Sequence, residues 1–140
     1  MNSERIREQI RDNAAEIVRL NSRIKETYLK RSKSPEKLRE WEQACAEFHS
    51  RYDHLAFPTG YQGGGALRRI LYGDPEAMEA AICFLEVRPY FFRSGYMFKD
   101  ILRKCRRAPL SPDQAGRLAA IEKRLLEWRA RKAATKEKEA

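Results

Sequence analysis

Cys45, His49 and Asp53 are spaced four residues apart, so on a helix their side chains lie along one face. Thiolate, imidazole and carboxylate groups are ligands for transition metals. Cys45, however, also belongs to an apolar stripe with Trp41 and Phe48, and no CxxC or HExxH spacing supplies further ligands. We therefore predict a buried, reduced thiol at Cys45, with no metal site and no cofactor.

A run of glycines at 60–65 precedes a short predicted helix that carries Arg68 and Arg69. Glycine-rich segments before a helix can bind phosphate through their exposed N–H groups. No strand precedes this run, and both the P-loop lysine and the GxGxxG pattern are missing. The run therefore indicates a flexible connection into a short helix.

The stretch 88–107 combines clustered aromatic residues with many cations and is the strongest candidate for a binding surface. Cations attract acidic partners, and exposed aromatic side chains anchor protein interfaces or stack on bases. The alternative is that the aromatic residues are core and the cations form a solvated helix face. The candidate partner-binding residues are Tyr90, Arg93, Tyr96, Lys99, Arg103, Lys104, Arg106 and Arg107.

A second candidate surface is the narrow apolar seam of the first 30 residues, where apolar side chains recur at steps of three and four. Such a seam on a charged helix is typical of a coiled coil or a helical hairpin, although it can also pack on the body of a domain. In the first case Ile10, Ile17 and Ile24 would drive association with a partner or with a second copy.

Three tripeptides predict helix starts, because each gives a capping side chain, then proline, then an acid. They are Ser34-Pro35-Glu36, Asp74-Pro75-Glu76 and Ser111-Pro112-Asp113. No segment alternates like a strand, so the chain is predicted to be all-α with about six helices. Beyond a long N-terminal helix we expect a compact helical bundle or a short stack of helical pairs.

The predicted organisation is an N-terminal helical arm at 1–33, a bundle at 34–131 and a charged, fraying tail at 132–140, with the last helix ending near Ala134. No stretch is apolar enough to span a membrane, and the first residues do not resemble a secretory signal. The three cysteines are far apart and fit reduced thiols. These observations together predict a cytoplasmic protein.

The formal net charge of +9 favours acidic partners, and no catalytic constellation is recognisable among the residues. We predict a non-catalytic macromolecular binding protein, an adaptor or regulatory module. Its expected partner is a protein with an acidic surface. The alternative is a nucleic-acid-binding protein. It would use the basic face of residues 93–107 with Arg19, Arg23, Arg117 and Arg124 of the first and last helices.

Overall fold

The computed structural model describes residues 2–139, which form six α-helices and no strand. This confirms the predicted all-α class. The helices are α1 (Ser3–Lys30), α2 (Pro35–Ala56), α3 (Ala66–Leu71), α4 (Pro75–Val87), α5 (Ser94–Cys105) and α6 (Pro112–Glu139). Within the described residues, none of these helices is both long enough and apolar enough to cross a membrane.

The three predicted helix starts are confirmed by their capping hydrogen bonds. Ser34 Oγ accepts the N–H of Lys37 at 3.1 Å. The Asp74 carboxylate accepts the N–H groups of Glu76 and Ala77. At α6, Ser111 and Gln114 bond reciprocally, with N···O distances of 3.1 and 3.0 Å. Each cap satisfies backbone donors that have no partner within the helix.

Helix α4 lies at the centre of the fold, and every residue from Ala77 to Leu85 is buried. Its sequence is apolar around most of its circumference, which is typical of a helix enclosed by others. Helices α1, α3, α5 and α6 all pack against it. Since sequentially distant helices meet on one axis, the arrangement is a bundle, whereas in a stack each pair would contact only its neighbours.

The seam of α1 faces the interior of the chain. Helix α1 forms a hairpin with α2 and also packs on α4. Ile10 and Ile17 are buried in the same core cluster as α4, and Ile24 packs partly buried against it. The expectation that this seam binds a partner is therefore corrected, because its side chains are already covered by the chain itself.

Helix α6 has two dissimilar halves. Gln114, Leu118, Ile121 and Leu125 are buried, whereas every described residue after Leu125 is exposed. The helix continues to Glu139 and not only to the predicted end near Ala134. The charged segment from 132 to 139 is thus helical and has no packing partner within the described chain.

Candidate functional site

A groove of about 1040 Å³ opens between α1, the loop 88–93, α5 and the middle of α6. We call it the aromatic–basic groove, after the two residue types that dominate its lining. Its aromatic side chains are Tyr90, Phe91, Phe92, Tyr96, Phe98 and Trp128, and its basic ones are Lys25, Arg88, Arg93, Lys99 and Arg129. Its volume lies at the upper end of the range of small-molecule sites.

The loop 88–93 is held in place by aromatic packing on its buried side. Phe91 is buried, with ring centroids 6.4 Å from Phe84 and 6.1 Å from Tyr52. The Tyr52 hydroxyl donates to the carbonyl of Phe92 at 2.6 Å, and the N–H of Phe91 donates to Ser94 Oγ at 3.0 Å. Because these contacts fix both sides of the loop, the groove is largely formed before any partner arrives.

Two arginines turn the backbone at the ends of this loop. Arg88 and Arg93 have φ angles of 50° and 69°, in the left-handed region that non-glycine residues rarely adopt. Arg88 ends α4, and Arg93 is the residue before α5. A non-glycine residue in this region costs about 1 kcal/mol, and at Arg88 it forms the left-handed cap that ends α4.

The groove has an apolar base and an aromatic rim. Its buried apolar lining residues, Phe91, Phe98, Leu102 and Leu125, belong to the core cluster. At the rim, by contrast, Tyr90 and Tyr96 are 89% and 72% exposed. Exposed aromatic side chains beside a buried apolar base are the composition of a binding hot spot.

Arg88 connects the loop to α6 by stacking between two aromatic rings. Its guanidinium carbon lies 5.1 Å from the Phe98 ring centroid and 4.9 Å from that of Trp128. Lys132 lies over the same indole, at 4.6 Å. These cation–π contacts hold Trp128 beside the groove.

The charge of the groove is entirely of one sign. Five of its lining residues are basic and none is acidic. Among the described residues, none of these five cations forms an ion pair. An acidic ligand could therefore bind these cations without breaking an ion pair within the protein.

The structure divides the candidate residues of 88–107 into two groups. Tyr90, Arg93, Tyr96 and Lys99 all line the groove. The remaining four, Arg103, Lys104, Arg106 and Arg107, lie outside it, beyond the next turn of α5. Two of those four are also engaged by acids, since Arg103 contacts Asp100 at 3.5 Å and Arg106 contacts Glu122.

Sequence reasoning missed Lys25 and Arg129, which α1 and α6 bring to the groove from opposite ends of the chain. No local pattern marks either residue, because each is one cation among many on a charged helix. Of the helix cations proposed for nucleic acid, Arg19 is paired with Glu16. Arg117 is paired with more than one acidic side chain.

Arg117 is the centre of an ion-pair cluster that ties α6 to α4. Its guanidinium lies 2.9 Å from Glu79 Oε2 and 2.7 Å from Glu86 Oε1. Burial acts to raise the pKa of Glu79, but hydrogen bonds from Ser3, Gln114 and Arg117 outweigh it and hold the pKa at about 2. Arg117 therefore stabilises the bundle and is not free to contact a phosphate.

The glycine run is closed by a carboxylate. Asp53 accepts the N–H groups of Gln62 and Gly63 at 2.7 and 2.9 Å. These two donors are therefore used by an anionic side chain of the protein itself and do not face a ligand. Arg69, in the last turn of α3, is likewise paired with Asp74 at 2.8 Å.

Asp53 also belongs to the set Cys45, His49 and Asp53 that was considered as metal ligands. Cys45 is half-buried, which corrects the prediction of a buried thiol at this position, and His49 is exposed. In the part of the chain that the structure describes, no group of three His, Cys, Asp or Glu side chains is arranged to hold a metal ion.

Comparison of the chain with protein-family models, with curated proteins and with solved structures found no match.

Proposed function

We propose that the protein is a non-catalytic binding module whose aromatic–basic groove holds an acidic segment of another protein. One observation carries the proposal. A groove with an apolar base has five basic and no acidic lining residues, and exposed tyrosines stand at its rim. Apolar contacts would supply affinity there, while the cations would select an acidic partner and speed its approach.

The three cysteines support a cytoplasmic location for this module. Cys45, Cys83 and Cys105 are all free, and the last two are buried. Burial raises the pKa of the Cys105 thiol to about 12, so it stays protonated and unreactive. Such thiols are compatible with a reducing compartment.

The groove itself offers a site-specific test by photo-crosslinking in the native cell. A photoreactive phenylalanine analogue replaces Tyr96, at the groove rim, or Tyr72, which directly follows α3, is 79% exposed and lies outside the groove. We expect a protein adduct from position 96 and none of the same mass from position 72.

Charge reversal decides whether that adduct depends on the groove. Lys99→Glu is expected to reduce the adduct at least tenfold, because it places an anion in the groove beside the acidic segment. Arg103→Glu is the matched control one turn further along α5, outside the groove, and is expected to retain most of the adduct. Equal effects of the two substitutions would contradict the proposal.

A second candidate function is single-stranded nucleic-acid binding, favoured by the two exposed tyrosines beside Arg93 and Lys99. Tyrosines stack on bases and cations neutralise phosphates. Fluorescence anisotropy with labelled oligonucleotides at low and near-physiological salt tests it. Binding that survives physiological salt and falls steeply as salt rises would put this function first.

A further inference from the structure

The dimensions of the aromatic–basic groove suit a helix. Its lining residues on α1 run from Val18 to Lys25, a distance of roughly 10 Å along the helix axis. Two turns of α-helix rise by about 11 Å, so a helix lying along α1 would contact this wall over two turns.

Small side chains in the lining allow a backbone to approach closely. Ser22 on α1, and Ser94 and Gly95 at the start of α5, all line the groove. Apolar side chains of an incoming helix can therefore reach the base residues Leu102 and Leu125. Three or four apolar residues at helical spacing are the anchors by which amphipathic helices occupy such grooves.

An extended segment suits this groove less well. Among residues 2–139 there is no strand, so an extended peptide finds no sheet edge to pair with. Its backbone N–H groups would find few acceptors there, because the charged groups of the lining are all cations that only donate hydrogen bonds. A helix satisfies those groups internally.

The groove charge also excludes the chain's own exposed helix as the occupant. The second half of α6, after Leu125, carries five basic and three acidic residues, so it would bring further positive charge to a basic groove. A second copy of the molecule offering this helix is disfavoured for the same reason.

We infer that the groove binds an amphipathic helix of a partner protein, with apolar residues on one face and acidic residues flanking them. This inference rests on the proposed function and specifies the conformation of the segment that the groove holds. About two turns of the partner helix contact the groove, with its acids opposite Lys25, Lys99 and Arg129.

The test begins with a display selection of random 15-residue peptides on the wild-type protein, with counter-selection on Lys99→Glu. Selected peptides are then measured by the fluorescence of Trp128 in a Trp41→Phe protein, which has no other indole. This background substitution breaks no hydrogen bond, because the indole N–H of Trp41 is buried without a hydrogen-bond partner.

We expect the selected peptides to carry excess acid and apolar residues at steps of three and four. Alanine at a central, non-anchor position should leave affinity within about threefold, whereas proline there should weaken binding about 100-fold, because it breaks a helix. Circular dichroism should show helix gained when peptide and protein are mixed.

The possible failures separate the two proposals. Acidic, Lys99-dependent peptides that tolerate proline, or that alternate apolar residues with a period of two, would overturn the helical conformation and leave the proposed function standing. Peptides without excess acid, or a selection that yields nothing sensitive to Lys99→Glu, would overturn both.

Discussion

Glu79→Gln perturbs the Arg117 cluster with little change in side-chain shape. The Glu79 side chain is only 7% exposed, and its pKa is lowered from 4.5 to about 2 in the folded protein. At about 1.36 kcal/mol per pKa unit, this difference corresponds to roughly 3 kcal/mol of stability at pH 7. We expect the substitution to remove most of that amount, since glutamine keeps the volume but not the charge.

The pH dependence follows from the sign of the shift. A carboxyl group whose folded-state pKa is depressed stabilises the fold above the unfolded-state pKa, here 4.5. That contribution is lost as pH falls from 4.5 toward about 2. The difference in unfolding free energy between wild type and Glu79→Gln should therefore shrink from about 3 kcal/mol at pH 7 to roughly 1.4 kcal/mol at pH 3.

Urea denaturation followed by far-ultraviolet circular dichroism measures both values, with Asp113→Asn as the matched control. Asp113 contacts the same guanidinium, at 3.2 Å, but its side chain is 76% exposed. An exposed pair of this kind contributes about 0.5 kcal/mol or less. Equal losses for the two variants, or a Glu79→Gln loss that does not change with pH, would refute the reasoning.

Four further substitutions test the backbone conformation and the loop 88–93. Gly64→Ala should destabilise the protein by more than about 2 kcal/mol, because the new Cβ would lie 2.2 Å from a backbone carbonyl oxygen. Gly116→Ala should stabilise it by about 0.5–1 kcal/mol, because this position in α6 has open space around it. Thermal unfolding distinguishes these opposite signs. Arg93→Gly should stabilise by about 1 kcal/mol through relief of its positive φ, yet weaken peptide binding several-fold, and lower stability would contradict the strain argument. Tyr52→Phe should cost about 1 kcal/mol in urea titrations by removing the bond to the Phe92 carbonyl, and an unchanged midpoint would show that this bond does not hold the loop.

The local signals in the sequence predicted the helices well. Ser34, Asp74 and Ser111 start helices as expected, because capping depends on neighbours within one turn. The seam of α1 was recognised as apolar, but sequence periodicity does not reveal what covers a seam. Ile10 and Ile17 are covered by the chain's own helices.

The groove depends on contacts between distant segments, and this is why only part of it was predicted. Lys99 and Arg103 are one turn apart on α5 and look alike in sequence, yet only Lys99 lines the groove. Lys25 and Arg129 join it from the first and last helices. The composition of 88–107 located the centre of the site, but the opposite wall is a property of the folded chain.

The central position of α4 has a consequence for how the molecule opens. Since four helices pack on it, its amides can exchange with solvent only when the bundle unfolds as a whole, so they should report the global free energy of unfolding. Amides of α6 beyond Lys132 lie in a fully exposed stretch and should exchange through local fraying. Hydrogen exchange should thus find the slowest and fastest helical amides on two helices in direct contact.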